Sequence, residues 1–131
     1  MTRITKLLGA AALALCAGCS SGGTSGGDPG VDGNKQISAT SDADKTNLCN
    51  WFAGLSGGYG STPSCSMALI TAPPSEAECV STFPDCAVPV STFEACIRAI
   101  MAAQDTCTQA SISMVQSDPN CATVGQAGCF N

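Results

Sequence analysis

The sequence predicts a mainly α-helical protein, in which a small disulfide-stapled domain of three to four short helices follows a disordered tether. Helix-start signals recur along the chain, where serine or aspartate precedes acidic residues or proline. The 131 residues also contain ten cysteines, eight of them after residue 48. Such density in a short chain is typical of a disulfide scaffold. A chain of this length has room for one ordinary domain, whose small core needs the support of cross-links.

The first 18 residues are predicted to be a signal peptide. Residues 1–6 carry two positive charges, and residues 7–17 form an uncharged apolar run rich in leucine and alanine. A short apolar run behind a basic start is the layout of a secretory signal. This run is well short of the roughly 20 residues that a helix needs to cross a bilayer, so a transmembrane anchor is excluded.

The apolar run ends in Cys16-Ala17-Gly18-Cys19, which resembles the lipobox of bacterial lipoproteins. In that family small residues precede a cysteine whose thiol receives a diacylglyceryl group, and signal peptidase II cuts before it. The resemblance implies that Cys19 is lipidated and that its lipid attaches the mature chain to a membrane. It also implies the outer membrane or the cell surface, because Ser20 replaces the aspartate that retains such proteins at the inner membrane. Cys16 departs from the family pattern, which prefers leucine at that position.

Three alternatives remain open for this segment. Lipidation could shift to Cys16, although Leu15 would then be bulky for the position before the cleavage site. An ordinary secretory signal could be cut after Ala14, in an A-x-A pattern. Cys16 and Cys19 also have the C-x-x-C spacing of redox and zinc sites, but no βαβ pattern surrounds them.

Residues 19–41 are predicted to be a flexible tether, because their Gly/Ser-rich composition offers little apolar surface to bury. The folded domain is expected to span residues 42–131. Its first helix starts at Ser41, which can cap it, has acidic residues in the first turn, and stops near Gly54. The apolar residues of this helix recur at helical spacing and predict a stripe that faces the core: Leu48, Trp51, Phe52 and Leu55.

Two further helix starts match the capping box S-x-x-E, in which the serine and glutamate side chains each bind the other residue's backbone amide. Ser75 with Glu78 opens a short helix that prolines bound on both sides. Ser91 with Glu94 opens what we expect to be the longest helix, which runs to about Cys107.

Two shorter segments also have a predicted structure. Residues 67–71 are an apolar run that fits either a strand or a helical turn. Near the C-terminus Asp118 can cap a short helix, with Pro119 at its first position and Gly125 at its end.

The domain cysteines are predicted to form four disulfides, because their number is even and the signal directs the chain to an oxidising compartment. Eight cysteines allow 105 pairings. Since residues 84–89 form a short turn between two predicted helices, our single pairing prediction is a Cys79–Cys96 bridge across that turn. The predicted disulfide cysteines are Cys49, Cys65, Cys79, Cys86, Cys96, Cys107, Cys121 and Cys129.

The sequence argues against catalysis and against a metal or a cofactor. It has no histidine, which removes the usual general base, the Ser–His and Cys–His nucleophile pairs and most mixed zinc sites. No C-x-x-C spacing occurs among the domain cysteines, so an all-cysteine zinc site is not expected. Ser56 lies in a G-x-S-x-G pattern, but it follows a predicted helix and has no histidine partner. We therefore predict no enzyme, no catalytic residue, no metal and no cofactor.

The charge of the chain argues against nucleic acid as a partner. Cleavage of the signal peptide would remove Arg3 and Lys6, and so leave Lys35, Lys45 and Arg98 against ten acidic residues. A domain this acidic, with no basic cluster, does not attract a phosphate backbone. It is also not expected to adhere to anionic lipid through its folded part.

By its layout the mature chain resembles the small cysteine-rich predicted lipoproteins of myxobacteria and their relatives, and that resemblance implies no activity. The leading prediction is a lipid-anchored envelope protein with a non-enzymatic structural or binding domain, which an unidentified protein partner would recognise. The alternative is a small inhibitor of an exported enzyme. It would present the loop 57–63, with Tyr59 near its centre, on a disulfide frame.

Overall fold

The computed structural model describes residues 27–130, and Cys16 and Cys19 lie outside them. The described part is mainly helical and contains no strand, which confirms the predicted fold class. No helix in this part is long and apolar enough to cross a bilayer. The helices are α1 (Asp42–Leu55), α2 (Glu76–Ser81), α3 (Val90–Thr106), α4 (Gln109–Ser117) and α5 (Pro119–Gln126), preceded by a 3₁₀ turn (Ile37–Ala39).

Helix α1 begins as the sequence predicts. The Ser41 side chain accepts a hydrogen bond from the Asp44 amide, and the Asp44 carboxylate accepts one from the Ser41 amide at 2.9 Å. The same carboxylate also binds Lys35 Nζ at 2.7 Å. Asp44 therefore joins the start of α1 to the chain that precedes it. The helix ends at Leu55, one residue after the predicted stop.

We expect Asp44 to titrate well below an ordinary aspartate. The hydrogen bond from Lys35, followed by those from the Ser41 amide and hydroxyl, lowers the pKa of Asp44 from 3.8 to about 2. Because the folded pKa is the lower one, these contacts stabilise the fold fully above about pH 4, and their contribution is lost as the pH falls towards 2. NMR titration of the Asp44 carboxyl carbon should show this midpoint.

The matched variants for this titration are Lys35→Met and Lys45→Met. The first should raise the Asp44 midpoint towards 3.8, because it removes the largest cause of the lowered pKa. The second should leave the midpoint unchanged, since the carboxylate of Asp44 pairs with Lys35 and not with Lys45. An Asp44 midpoint near 3.8 in the unmodified protein would contradict the ion pair.

Helix α3 begins at Val90, so the predicted cap at Ser91 is wrong. Ser91 lies inside the first turn, and Pro89 precedes the helix without any side-chain cap. The reason is that a preceding segment takes the exposed amides of this helix end. The Val90 amide donates to Lys35 O at 2.8 Å, and the Ser91 amide donates to Gly33 O at 2.9 Å. At α2, by contrast, Ser75 does cap, although only its half of the predicted box forms.

Helix α4 was not predicted. Thr108 accepts from the Ser111 amide, and the Ser111 hydroxyl accepts from the Thr108 amide, so the capping box has serine where the usual pattern has glutamate. Just before it, Cys107 ends α3 in the left-handed conformation, at φ 48°. The last helix follows the prediction, with Asp118 as its cap and Pro119 at its first position, and it ends one residue after Gly125.

The core is centred on α3, which packs against α4 and α5, while α2 packs on α1. Buried Gln104 on α3 also holds the irregular chain beside it, because its Oε1 accepts from the amides of Leu69 and Ile70, both at 2.9 Å. Residues 67–71 form no strand: Met67 lies in a turn that the Ala68 amide closes on Cys65 O at 3.2 Å, and the residues after it are irregular. The fully buried side chains are Ile37, Leu48, Cys49, Val88, Val90, Cys96 and Val124.

The packed part of the chain starts well before residue 42. Residues 27–40, which we call the strap, run along the domain, and Ile37 is completely buried. The Ile37 amide donates to Val88 O at 2.8 Å, and the Ser38 amide donates to Cys86 O at 3.0 Å. Part of the predicted tether is therefore hydrogen-bonded to the folded domain.

The described cysteines form four disulfides, and the predicted Cys79–Cys96 bridge is wrong. Helix α2 lies against α1 and not against α3, because the strap occupies the backbone of the turn between α2 and α3. Cys79 on α2 therefore pairs across to α1, and Cys96 on α3 pairs with α5. The observed pairs are Cys49–Cys79, Cys65–Cys107, Cys86–Cys129 and Cys96–Cys121.

Candidate functional site

The best candidate site is an open apolar groove beside α3. It consists of two adjoining hollows, of about 260 and 540 Å³, that share Ile70 and Phe130 in their linings. The smaller hollow is bounded by Phe83 and Phe93, and the larger one by Leu69. None of the lining residues carries a charge. We call this surface the apolar groove.

Four phenylalanines line the smaller hollow, and three of them form ring pairs. The ring centroids of Phe83 and Phe93 are 6.0 Å apart, and those of Phe93 and Phe130 are 6.3 Å apart, both pairs tilted. These separations lie in the range of favourable aromatic pairs. Phe130 is 47% exposed although it follows a buried, disulfide-bonded residue, Cys129. The Cys86–Cys129 bridge thus places an exposed ring at the centre of the groove.

Another part of the groove lining is the irregular segment that Gln104 holds. Leu69 is 41% exposed, and the amides of Leu69 and Ile70 share the same Gln104 oxygen. Because both amides are bound, this segment keeps its position without regular secondary structure. The sequence gives no signal for the groove, since Phe130 and Leu69 belong to no helical stripe and meet only through tertiary contacts.

Ser56, the serine of the G-x-S-x-G pattern, has a structural contact. Ser56 follows α1, and its hydroxyl donates to Phe52 O at 2.8 Å, so it does not occupy a strand-to-helix elbow. No cluster of three or more cysteine, aspartate or glutamate side chains suited to a metal ion occurs between residues 27 and 130. An uncharged groove offers no acid or base to a substrate. The groove can therefore bind apolar groups, but it supplies no group for proton transfer.

The loop 57–63 is folded back on α1. The Tyr59 hydroxyl donates to Asn50 Oδ1 at 3.0 Å, and Asn50 Nδ2 donates to Glu76 Oε2 at 2.9 Å. Burial, with a smaller effect of Glu76, raises the pKa of the Tyr59 hydroxyl. The Ser61 hydroxyl also bonds back to Gly58 O at 2.7 Å. The loop is thus held in one conformation, and its tyrosine is only partly exposed.

No family model, no curated protein and no solved structure matches the chain. Of the predicted site residues, the eight disulfide cysteines all lie in bridges, and the lipidation residue Cys19 lies outside the described part.

Proposed function

We propose that this is a lipid-anchored envelope protein, held at the outer membrane or the cell surface by a lipid on Cys19, whose helical domain is a non-enzymatic structural or binding module. The observation that supports it is the closed set of disulfides. All eight cysteines between residues 27 and 130 pair with one another, so the domain uses neither Cys16 nor Cys19. The two cysteines of the lipobox-like segment are thus left for another chemistry.

The disulfides also support export. Four bridges in a domain of this size persist only in an oxidising compartment, which agrees with the signal-like start of the chain. A lipid on Cys19 would then place the domain outside the cytoplasm. The bridges also stabilise the folded domain. This stability is useful outside the cytoplasm, where cytoplasmic chaperones do not refold proteins.

The apolar groove supports a binding role for the domain. Exposed aromatic and aliphatic side chains around an apolar hollow can anchor a protein partner, because the contact removes their apolar surface from water. The groove is open and uncharged, so the occupant that fits it is an apolar side chain inserted by a protein partner. The alternative role, an inhibitor of an exported enzyme, is favoured by a different feature, the loop 57–63 that is already fixed by hydrogen bonds and by the nearby Cys65–Cys107 bridge.

The anchor is tested by two serine variants of the full chain. Cys19→Ser should abolish incorporation of labelled palmitate and release the protein from the membrane fraction, because the acceptor thiol is gone. Cys16→Ser is the matched control and should still be labelled and sedimented with membranes. Mass analysis of the mature N-terminal peptide gives the site directly. An unmodified peptide that starts at Leu15 would refute the proposal.

A further inference from the structure

A second hollow, which we call the polar pocket, lies where the chain after α1 meets the last third of α3. Its volume is about 180 Å³, and of its lining residues only Ile70 also lines the apolar groove. More than half of the residues that line it are polar: Ser56, Ser61, Thr62, Ser64, Gln104 and Asp105. The polar pocket therefore suits a different kind of ligand from the groove.

The walls of the polar pocket are fixed by contacts within the domain. The Ser61 hydroxyl lies within hydrogen-bond distance of Ser56 O, which holds the loop side of the pocket against the end of α1. The Cys65–Cys107 bridge joins the same stretch of chain to the end of α3. Because both walls are held in place without a ligand, binding does not have to order them, which favours affinity.

Gln104 supplies an unused hydrogen-bond donor in this pocket. Its side chain is only 6% exposed, and its Oε1 accepts from the amides of Leu69 and Ile70, which fixes the orientation of the side-chain amide. Its Nε2 donates to no residue between 27 and 130. That nitrogen is not sealed in the core, because Trp51 Nε1 is the only sealed side-chain nitrogen or oxygen without a partner in this range. Both N–H groups of Nε2 are therefore available to a ligand in the polar pocket, which Gln104 lines.

Asp105, the next residue, supplies an acceptor. It is exposed, it lines the polar pocket, and its carboxylate makes no hydrogen bond or ion pair with residues 27–130. The hydroxyls of Thr62 and Ser64 are likewise exposed and have no hydrogen-bond partner in that part of the chain. A hydroxyl can both donate and accept. The pocket thus presents amide donors, a carboxylate acceptor and two hydroxyls that can act as either.

These groups decide the chemical class of the ligand. No lysine or arginine lines the pocket, and its carboxylate would repel an anion. An apolar molecule would leave the buried Gln104 donors unpaired, and a cation would face those donors without accepting from them. A peptide group has one donor and one acceptor, so it could pair with only part of the lining. A sugar ring carries hydroxyls on most of its carbons, and each of them can donate and accept.

The size of the pocket fits a single ring. A protein cavity of about 150 Å³ can hold one benzene molecule, so about 180 Å³ accommodates one six-membered ring with some of its substituents. Met101 and Ile70 supply apolar surface in the lining, against which the C–H face of such a ring can pack. Its further substituents can extend into solvent, because Thr62, Ser64 and Asp105 are exposed.

We propose that the polar pocket binds one hexopyranose ring of a glycan. Gln104 Nε2 donates to a hydroxyl oxygen of the ring, and the Asp105 carboxylate accepts from a neighbouring hydroxyl. This inference goes beyond the proposed function, and it depends neither on the lipid on Cys19 nor on the apolar groove. Since the contact is limited to one ring and a few hydrogen bonds, the dissociation constant for a single sugar is in the millimolar range.

NMR titration of the isotope-labelled full chain tests the site. The probes are the methyl pyranosides of glucose, galactose, mannose and N-acetylglucosamine, each added up to about 50 mM to cover a millimolar constant. At least one of them should shift the side-chain amide signals of Gln104 and the backbone amide signals of Ser64 and Asp105. The side-chain amide of Gln116, which lies in the apolar groove, is the internal control and should not move. N-methylacetamide, as a model of a peptide group, should produce no comparable shift.

Variants of the full chain test the two contacts. Asp105→Asn removes the charge of the acceptor and keeps its shape, so it should weaken binding of the best sugar by about fivefold or more. Asp85→Asn is the matched control and should bind as the unmodified chain does, because Asp85 is also exposed but does not line the pocket. Gln104→Glu keeps an oxygen for the Leu69 and Ile70 amides but loses the N–H donors, so it should abolish binding.

The outcomes bear on the pocket alone and leave the lipid anchor untouched. No shift with any of the sugars, or equal shifts at Gln104 and Gln116, would overturn the proposal. Larger shifts with N-methylacetamide than with the sugars would also overturn it, since the pocket would then bind a peptide. Sugar binding that Asp105→Asn leaves unchanged would contradict the assigned contact, and this exposed position gives an answer even if Gln104→Glu does not fold.

Discussion

Replacing Cys96 and Cys121 together by alanine is expected to lower the free energy of unfolding by about 3.5 kcal/mol at 25 °C. The two residues are 25 positions apart, and the loop they close loses chain entropy in the unfolded state. Their bridge joins α3 to α5, and Cys96 is completely buried. A domain of this size is stabilised by only about 5–15 kcal/mol in total, so the loss is a large fraction of its stability.

Urea unfolding, followed by the fluorescence of the single tryptophan, Trp51, gives the measurement. The matched control is the double alanine variant of Cys49 and Cys79, which are 30 positions apart. The same loop-entropy estimate gives about 3.7 kcal/mol for this pair. Because Cys49 is as fully buried as Cys96, a difference between the two losses would measure how the packing of the two bridges differs. A loss below about 1 kcal/mol would contradict a stabilising role for the α3–α5 bridge.

The helices that the sequence predicted are those with local signals. Ser41 and Asp118 cap their helices with their own side chains, and such hydrogen bonds depend on residues two or three positions away. The predicted start of α3 was wrong, because the groups that bind its first amides come from a distant part of the chain. Ser91 looked like a cap, but Gly33 and Lys35 satisfy the amides at that helix end from a distant segment. Composition alone assigned that segment to the tether.

The disulfide pairing and the apolar groove depended on tertiary packing. Cys79 and Cys96 are symmetric about a turn, yet the strap binds the backbone of that turn and α2 packs on α1 instead. Likewise, Phe130 lies in the groove because the adjacent Cys129 is bridged to Cys86. These two cysteines are 43 residues apart in the sequence. Spacing along the chain carries no information about such contacts, since each depends on the position of a third segment.

Ile37→Ala is expected to destabilise the domain by about 2–5 kcal/mol, the usual cost of removing a buried aliphatic side chain. A tether residue would tolerate this change without effect, but Ile37 is completely buried in the core and its amide donates to Val88 O. Urea unfolding gives the free energy. Hydrogen exchange at the Val90 and Ser91 amides should also accelerate, because a loosened strap no longer binds them.

The neighbouring Ser38→Ala variant is the matched control, because Ser38 is exposed and only its backbone amide binds the domain, at Cys86 O. It should change the free energy of unfolding by less than about 0.5 kcal/mol. The difference between the two free energies of unfolding therefore reports the effect of burying the Ile37 side chain, separately from the backbone hydrogen bonds of the strap. If Ile37→Ala were as neutral as Ser38→Ala, the strap would contribute no core packing and the domain would begin near residue 42.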